Sequence, residues 1–282
     1  MTRVAVLGMG LLGSGFAEGL LARGGTEVVV WNRSPAKTLP LVALGASAAE
    51  SPADAVRDAD RVHLVLLDDD VVDATIADLR GALSPGTVII DHTTTQPART
   101  AARAAALEAD GIQYLHAPVM MGPGAARLAK GFMLIAGPTA RVESIRTAVS
   151  AMTGELWHVG ERADLAAVYK LFGNASVLSV IGVVADVMRL ADATGVARSA
   201  VLEMLARTNL NAAVVTRGPL MVSGEFESNF TLDVARKDVR LMLETVSPDA
   251  APMLKALAGR MDQSLAAGHG QEDFAVIGRS GA

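Results

Sequence analysis

Lys170 and Asn174 stand four residues apart in a long apolar stretch, so on a helix both side chains leave the same face. The chain has only five lysines, and an apolar helix seldom carries one beside an asparagine without a use for the pair. An ammonium in a desolvated cleft has its pKa drawn toward neutrality, where it can give a proton to a carbonyl oxygen or take one from an alcohol. Asn174 would then hold the substrate oxygen and orient the lysine. The plain alternative is a surface lysine with an unrelated asparagine nearby.

A second set of residues opens the chain. Gly8-Met9-Gly10-Leu11-Leu12-Gly13 directly follows a β-branched run and leads into helical spacing through Phe16, Ala17 and Leu20. Glycines at this spacing permit a tight turn, close approach of a pyrophosphate to backbone amides and close packing of helix on strand. The helix N-terminus then offers unpaired N–H groups to the anion. Alone the motif is weak evidence; with a strand before it, a helix after it and a second strand at the right distance, it predicts dinucleotide binding. At the end of that second strand the chain reads Trp31-Asn32-Arg33-Ser34-Pro35. Asn32 removes the acid that would repel a 2′-phosphate, Arg33 can hold phosphate in a bidentate fork, and Ser34 adds a hydroxyl. NADP(H) is therefore the expected cofactor. Lys37, one turn on, either adds a second positive charge or is an ordinary solvated lysine. Leu66 and Leu67, at the end of the third strand, complete this set of expected cofactor contacts.

The elements that must position these residues follow from the patterning. The first half alternates β-branched runs with alanine-rich helical segments, as parallel strands joined by crossover helices do. Strands are predicted at 3–7, 27–31, 61–67, 88–91, 114–117 and 132–136, continuously apolar as when helices cover both faces of a sheet. Beyond about residue 160 helical segments follow one another to the end. The predicted fold is α/β, a Rossmann-type doubly wound parallel sheet over 1–162, followed by an all-α domain over 163–282. The first helix of that domain is expected over about 164–193, roughly 45 Å long at 1.5 Å per residue. With no flexible linker, the two domains should pack tightly around a cleft.

Composition narrows the function classes. Within 282 residues, 51% apolar and 20% charged side chains describe a chain that folds. Twenty-five basic against thirty acidic side chains leave a net charge of −5 without a basic block, which argues against nucleic acid or anionic lipid as partner. The absence of cysteine removes disulfides, thiol catalysis and thiolate metal sites, and fits a reducing compartment. His63, His92, His116, His158 and His269 show no paired-ligand spacing, so no metal site is expected. The apolar stretch 4–21 carries five glycines and Glu18, unlike a leader peptide. The run 175–188 is interrupted by Asp186 and falls short of the roughly 20 residues a bilayer needs. A soluble cytoplasmic protein with a small-molecule substrate and no membrane partner is expected, assembled as a homodimer or larger homo-oligomer through its helical domain.

With these residues in place, the chain resembles the β-hydroxyacid dehydrogenase family over essentially its whole length. That family includes 3-hydroxyisobutyrate dehydrogenases and NADPH-dependent glyoxylate and succinic semialdehyde reductases. The resemblance rests on the glycine loop, on Asp91-His92-Thr93-Thr94-Thr95-Gln96-Pro97, on His116-Ala117-Pro118-Val119, on Lys170 with Gly173-Asn174, and on Phe230 followed by Lys237-Asp238. It implies hydride transfer between a nicotinamide and a hydroxyacid, aldehyde or ketone, with Lys170 and Asn174 catalytic and Thr94 and Thr95 facing the nicotinamide. It also implies that Lys237 and Asp238 close the cleft, toward cofactor and substrate respectively. Three threonines after a strand read equally as a helix-capping segment, and Lys237-Asp238 as a solvated helical face.

One motif departs from the family pattern. Where the family usually reads Asp-Ala-Pro-Val-Ser-Gly-Gly, this chain has His116-Ala117-Pro118-Val119-Met120-Met121-Gly122. Met120, Met121 and Gly122 are expected on the substrate wall, where two thioethers favour larger, more apolar substrates than short hydroxyacids. A neighbouring family, the imine reductases, shares the fold, the Asn-Arg-Ser segment and an apolar wall. Its members typically place an acid or tyrosine where this chain has Lys170, because an ammonium repels an iminium. A non-catalytic NADPH-binding sensor would need neither Lys170 nor Asn174.

Overall fold

The structure, a computed structural model, describes residues 2–279. The chain divides into two compact units, Met1–Ala175 and Ser176–Ala282. The first unit begins with β1 (Thr2–Leu7), α1 (Leu11–Arg23), β2 (Thr26–Trp31), α2 (Leu39–Val42), β3 (Ser47–Ala48), α3 (Pro52–Val56), β4 (Arg61–Leu64) and α4 (Asp69–Leu79). It continues with β5 (Val88–Asp91), α5 (Pro97–Ala109), β6 (Gln113–His116), β7 (Val119–Met120), α6 (Pro123–Arg127), β8 (Phe132–Ala136), α7 (Thr139–Ser150) and β9 (Glu155–Gly160). The division between the units falls inside α8 (Leu165–Thr194).

Among the described residues nine strands form one sheet, ordered β3-β2-β1-β4-β5-β6-β8-β7 with β9 also paired to β8. The order reverses direction between β1 and β4, the point where an open α/β sheet leaves a crevice at its carboxyl ends. Alternation within β1 shows how both faces are buried. Val4 and Val6 join one apolar layer with Phe16, Val28, Ile90 and Leu115, while Ala5 and Leu7 join the other with Val29, Val62, Leu64 and Ile89.

This is the doubly wound Rossmann-type sheet that the patterning predicts, with three differences in detail. The third predicted strand stops at Leu64, because the Thr93 hydroxyl rather than a neighbouring strand takes the Leu66 N–H. Three short or half-exposed strands, β3, β7 and β9, escape a search for apolar runs. The sheet is also not wholly parallel: β8 runs antiparallel to both β6 and β7. After β7 the chain turns into α6, whose Arg127 pairs with Glu18 of α1, and it re-enters the sheet from the carboxyl edge.

The second unit is all-helical: the remainder of α8, then α9 (Arg198–Arg207), α10 (Leu210–Ser223), α11 (Leu232–Val246) and α12 (Pro252–Ala266). Its core gathers Phe226, Leu232, Val239, Met261 and Val276. Asp186 is buried here, and its carboxylate accepts the Leu254 N–H at 2.9 Å in the first turn of α12, so it acts as a side-chain cap. The apolar run around Asp186 lies in a continuous 30-residue helix, which by length and composition is long enough to cross a membrane; considering the run 175–188 alone understates it.

Candidate active site

The glycine loop is built by contact. Gly8 has φ +104°, and a Cβ there would lie 2.2 Å from the Val65 carbonyl oxygen. A Cβ on Gly13 would lie 1.9 Å from the Gly8 oxygen, so any larger residue at either position would separate α1 from β1 and β4. At Gly10, the N-cap of α1, a Cβ would meet nothing within 4 Å, and no side chain caps the helix. Open space above uncapped N–H groups of Leu11, Leu12 and Gly13 is what a pyrophosphate requires, so these residues fit a dinucleotide. When bound, the nicotinamide would supply or accept hydride.

Asn32 holds this loop to the end of β2. Its side-chain oxygen accepts the Met9 N–H at 3.0 Å while its amide nitrogen donates to the Ser34 carbonyl at 2.9 Å. The sequence placed Asn32 among the cofactor contacts; the structure shows its side chain bonded to backbone at both ends. Arg33, Ser34 and Lys37 lie exposed beyond it, and Arg33 has no hydrogen bond or ion pair among the described residues.

Along the same edge of the sheet, Leu66 is half-buried beside Gly8 and Leu67 is exposed. The threonine segment after β5 divides its side chains. Thr94 is exposed, whereas the Thr95 hydroxyl is buried and bonded to the Thr100 hydroxyl at 2.7 Å and to His116 Nε2 at 3.1 Å. Thr95 therefore supports the segment from within instead of facing a nicotinamide.

Beneath these loops lies a buried polar network that the sequence reading missed. The Asp91 carboxylate accepts the Thr93 N–H at 2.9 Å and the Tyr114 hydroxyl at 2.9 Å. Asp69 accepts the Gln96 N–H at 2.8 Å and Arg103 Nη2 at 2.8 Å, and Arg103 Nε donates to Asp73 at 2.5 Å. The Asp68-Asp69-Asp70 run after a strand was the available signal, but an acidic run reads as a solvated face until its arginine partners are located.

A histidine chain crosses the same region. Arg61 Nε donates to His63 Nε2 at 3.3 Å, so the His63 proton sits on Nδ1 and is shared with His92 Nε2 at 2.9 Å. His92 Nδ1 in turn donates to the Ala117 carbonyl at 2.6 Å. Burial pushes the His92 imidazole down to about 4 and holds His63 and His116 below the ordinary range. All three stay neutral, as members of the scaffold.

Lys170 is set by the first turns of α8, where Ala166 and Ala167 are buried and Tyr169 meets Trp157 of β9 edge-on at 5.2 Å. Its ammonium donates to the Val119 carbonyl at 2.7 Å and to Met120 Sδ at 3.4 Å. Burial lowers its pKa from the ordinary lysine value, and it has no ion pair among the described residues. Asn174 is half-buried one turn further along.

The two methionines are separated. Met120 turns toward Lys170 and Gly173, while Met121 lies against Gly131 and the apolar layer of the sheet. Neighbours in extended backbone face opposite sides, so of the two thioethers expected on one wall only Met120 faces Lys170, and Gly122 is exposed at the N-cap of α6. In the second unit, Lys237 and Asp238 lie on α11 and pair with each other at 2.8 Å.

A family profile described as the NAD binding domain of 6-phosphogluconate dehydrogenase matches residues 3–160. A second, described as NAD-binding of NADP-dependent 3-hydroxyisobutyrate dehydrogenase, matches residues 164–279. The chain is 27% identical to glyoxylate/succinic semialdehyde reductase 2, chloroplastic, of Arabidopsis thaliana, covering 97% of this chain and 78% of the relative. It is 28% identical to 3-sulfolactaldehyde reductase of Escherichia coli strain K12, covering 98% of this chain and 95% of the relative. In structure it is similar to a reductive aminase from Aspergillus terreus in complex with NADPH and ethyl levulinate, with a TM-score of 0.89, 21% identity and 98% of both chains covered. At that identity the likeness concerns the fold.

Proposed function

The chain belongs to the β-hydroxyacid dehydrogenase family of NAD(P)-dependent oxidoreductases, and we propose that it is an NADPH-dependent reductase of aldehydes or ketones carrying an apolar substituent. The observation that carries this reading is Lys170: a half-buried ammonium whose partners are neutral and whose pKa burial lowers. Such a group gives up a proton more readily than a solvated lysine, because burial penalises its charged form. Lys170 delivers that proton to the carbonyl oxygen as hydride reaches the carbon, and Asn174 holds the same oxygen. Arg33, exposed and without an ion pair among the described residues, supports the choice of NADPH by offering a guanidinium to a 2′-phosphate. Met120 supports an apolar substituent, because a thioether offers no donor to a carboxylate.

Turnover of a panel of aldehydes, ketones, short hydroxyacids and cyclic imines with NADPH and NADH tests the reading. Lys170→Ala should lower carbonyl turnover by about 10²-fold or more with little change in NADPH affinity, the ordinary worth of general acid catalysis. Near-normal turnover in that variant would remove Lys170 from the mechanism. Cyclic imines turned over faster than any carbonyl would assign the chain to imine reduction, and no turnover at all would favour the sensor.

The exposed apolar side chains Val177, Leu178 and Ile181 of α8 and Val214, Val215 and Val222 of α10 support a second proposal, that another copy of this chain covers them. Sedimentation velocity should then show a dimer or larger assembly. A monomer that partitions into lipid vesicles would overturn this and give α8 a membrane role.

A further inference from the structure

We propose that Met120 is a positioning residue for the proton donor: its thioether, seated in the notch that Gly173 leaves on α8, occupies one N–H of Lys170 and leaves a single N–H for the substrate. The inference rests on the reading of Lys170 as the proton donor. An ammonium has three donors. The Val119 carbonyl takes one at 2.7 Å and Met120 Sδ a second at 3.4 Å.

The methionine is held from both ends. Its backbone is fixed in β7, where Met120 stands opposite Phe132 of β8. Its tip lies against Gly173, where a Cβ would lie 2.7 Å from the Met120 methyl and 3.1 Å from its sulfur. Glycine is a poorer helix former than alanine, and here the space its missing Cβ leaves is filled by Met120. A thioether is a weak acceptor, so it orients the ammonium without stabilising the charge as a carboxylate would. The two neutral acceptors together leave burial unopposed at Lys170.

The same geometry narrows the substrate. One remaining N–H serves one oxygen, so a carbonyl is accommodated, whereas a carboxylate seeking a second bond at Lys170 would have to displace Met120. The substrate class that follows is an aldehyde or ketone with no carboxylate at the carbon next to the reacting one.

A double-mutant cycle between Gly173 and Met120 tests this. Gly173→Ala should lower kcat about tenfold when Met120 is present and less than about twofold in a Met120→Ala background, the coupling expected of two groups in contact. The KM for NADPH should move little in either. In wild type, the ¹³C-methyl resonance of Met120, assigned from Met120→Ala, should titrate together with Lys170 and lose that titration in Lys170→Met. Additive effects in the cycle, or a Met120 methyl that does not respond to Lys170, would overturn the proposal even if Lys170→Ala is inactive. A fully active Lys170→Ala would instead overturn the reading on which it rests. Should Gly173→Ala fail to fold, the methyl titration of the wild-type protein still decides.

Discussion

Arg103 and Lys170 are two cations taken out of water in the same unit of the molecule, and they are treated in opposite ways. The Arg103 side chain is 4% exposed and is bonded to Asp69 and Asp73, with Asp91 at 3.9 Å. Burial opposes its charge, yet the bonds from Asp73 and Asp69 outweigh it and hold the pKa above the ordinary arginine value. Lys170, half-buried, receives a carbonyl and a thioether, and its pKa falls. The contrast separates a charge kept permanently to hold loops together from one kept only loosely, available for transfer. Partner chemistry, more than depth, makes the difference.

The sharpest way to break this comparison is to neutralise the enclosed cation. Arg103→Met removes the enclosed cation from among Asp69, Asp73 and Asp91, leaving Arg99 at the outer side of Asp73, and should cost about 3–5 kcal/mol of stability in denaturant unfolding. A loss below about 1 kcal/mol would show that the network is not structural.

The histidine chain tests the same rule on bases that are bonded to no carboxylate. In the unfolded chain these imidazoles protonate near 6.5, whereas folded His92 does so only near 4. The folded pKa is the lower, so the stabilisation is complete above 6.5 and is lost as pH falls from 6.5 toward 4, by roughly 3 kcal/mol for His92. Asp73, whose carboxyl is lowered from an ordinary 3.8, titrates below that window. Unfolding midpoints measured across the window should decline steadily toward acid; a flat profile would contradict the neutral chain.

Arg33 is a third case, an exposed cation with no partner among the described residues. Arg33→Ala should weaken NADPH binding by about 1.5–3 kcal/mol, the worth of a charge-assisted contact, and leave NADH nearly unchanged. Equal losses for both cofactors, measured by titration calorimetry, would show that Arg33 does not read the 2′-phosphate.

The smallest effect is expected where the comparison is most specific. Lys170→Met removes a charge that no carboxylate balances, so stability should change by less than about 1 kcal/mol, in either direction. A loss as large as that of Arg103→Met would mean that Lys170 too is a structural cation.

What the sequence determined by itself is what depends on neighbours along the chain. The glycine loop between strand and helix, the continuously apolar strands and the run of helices after residue 160 are all set by local spacing, and they suffice for the fold class and the family. Lys170 and Asn174 share a helix face for the same reason. Tertiary structure decided which way each side chain turns when several elements compete for it. Met120 and Met121 separate because β8 fixes the alternation of β7, and the Thr95 hydroxyl turns inward because Thr100 and His116 wait there. Asp69 and Arg103 are 34 positions apart in sequence but 2.8 Å apart in space, and His63 and His92 are 29 positions apart and 2.9 Å apart. Such pairs leave no periodic trace, because a buried charge or imidazole is tolerated only where distant strands and helices bring its partner to it, and no local spacing records that meeting.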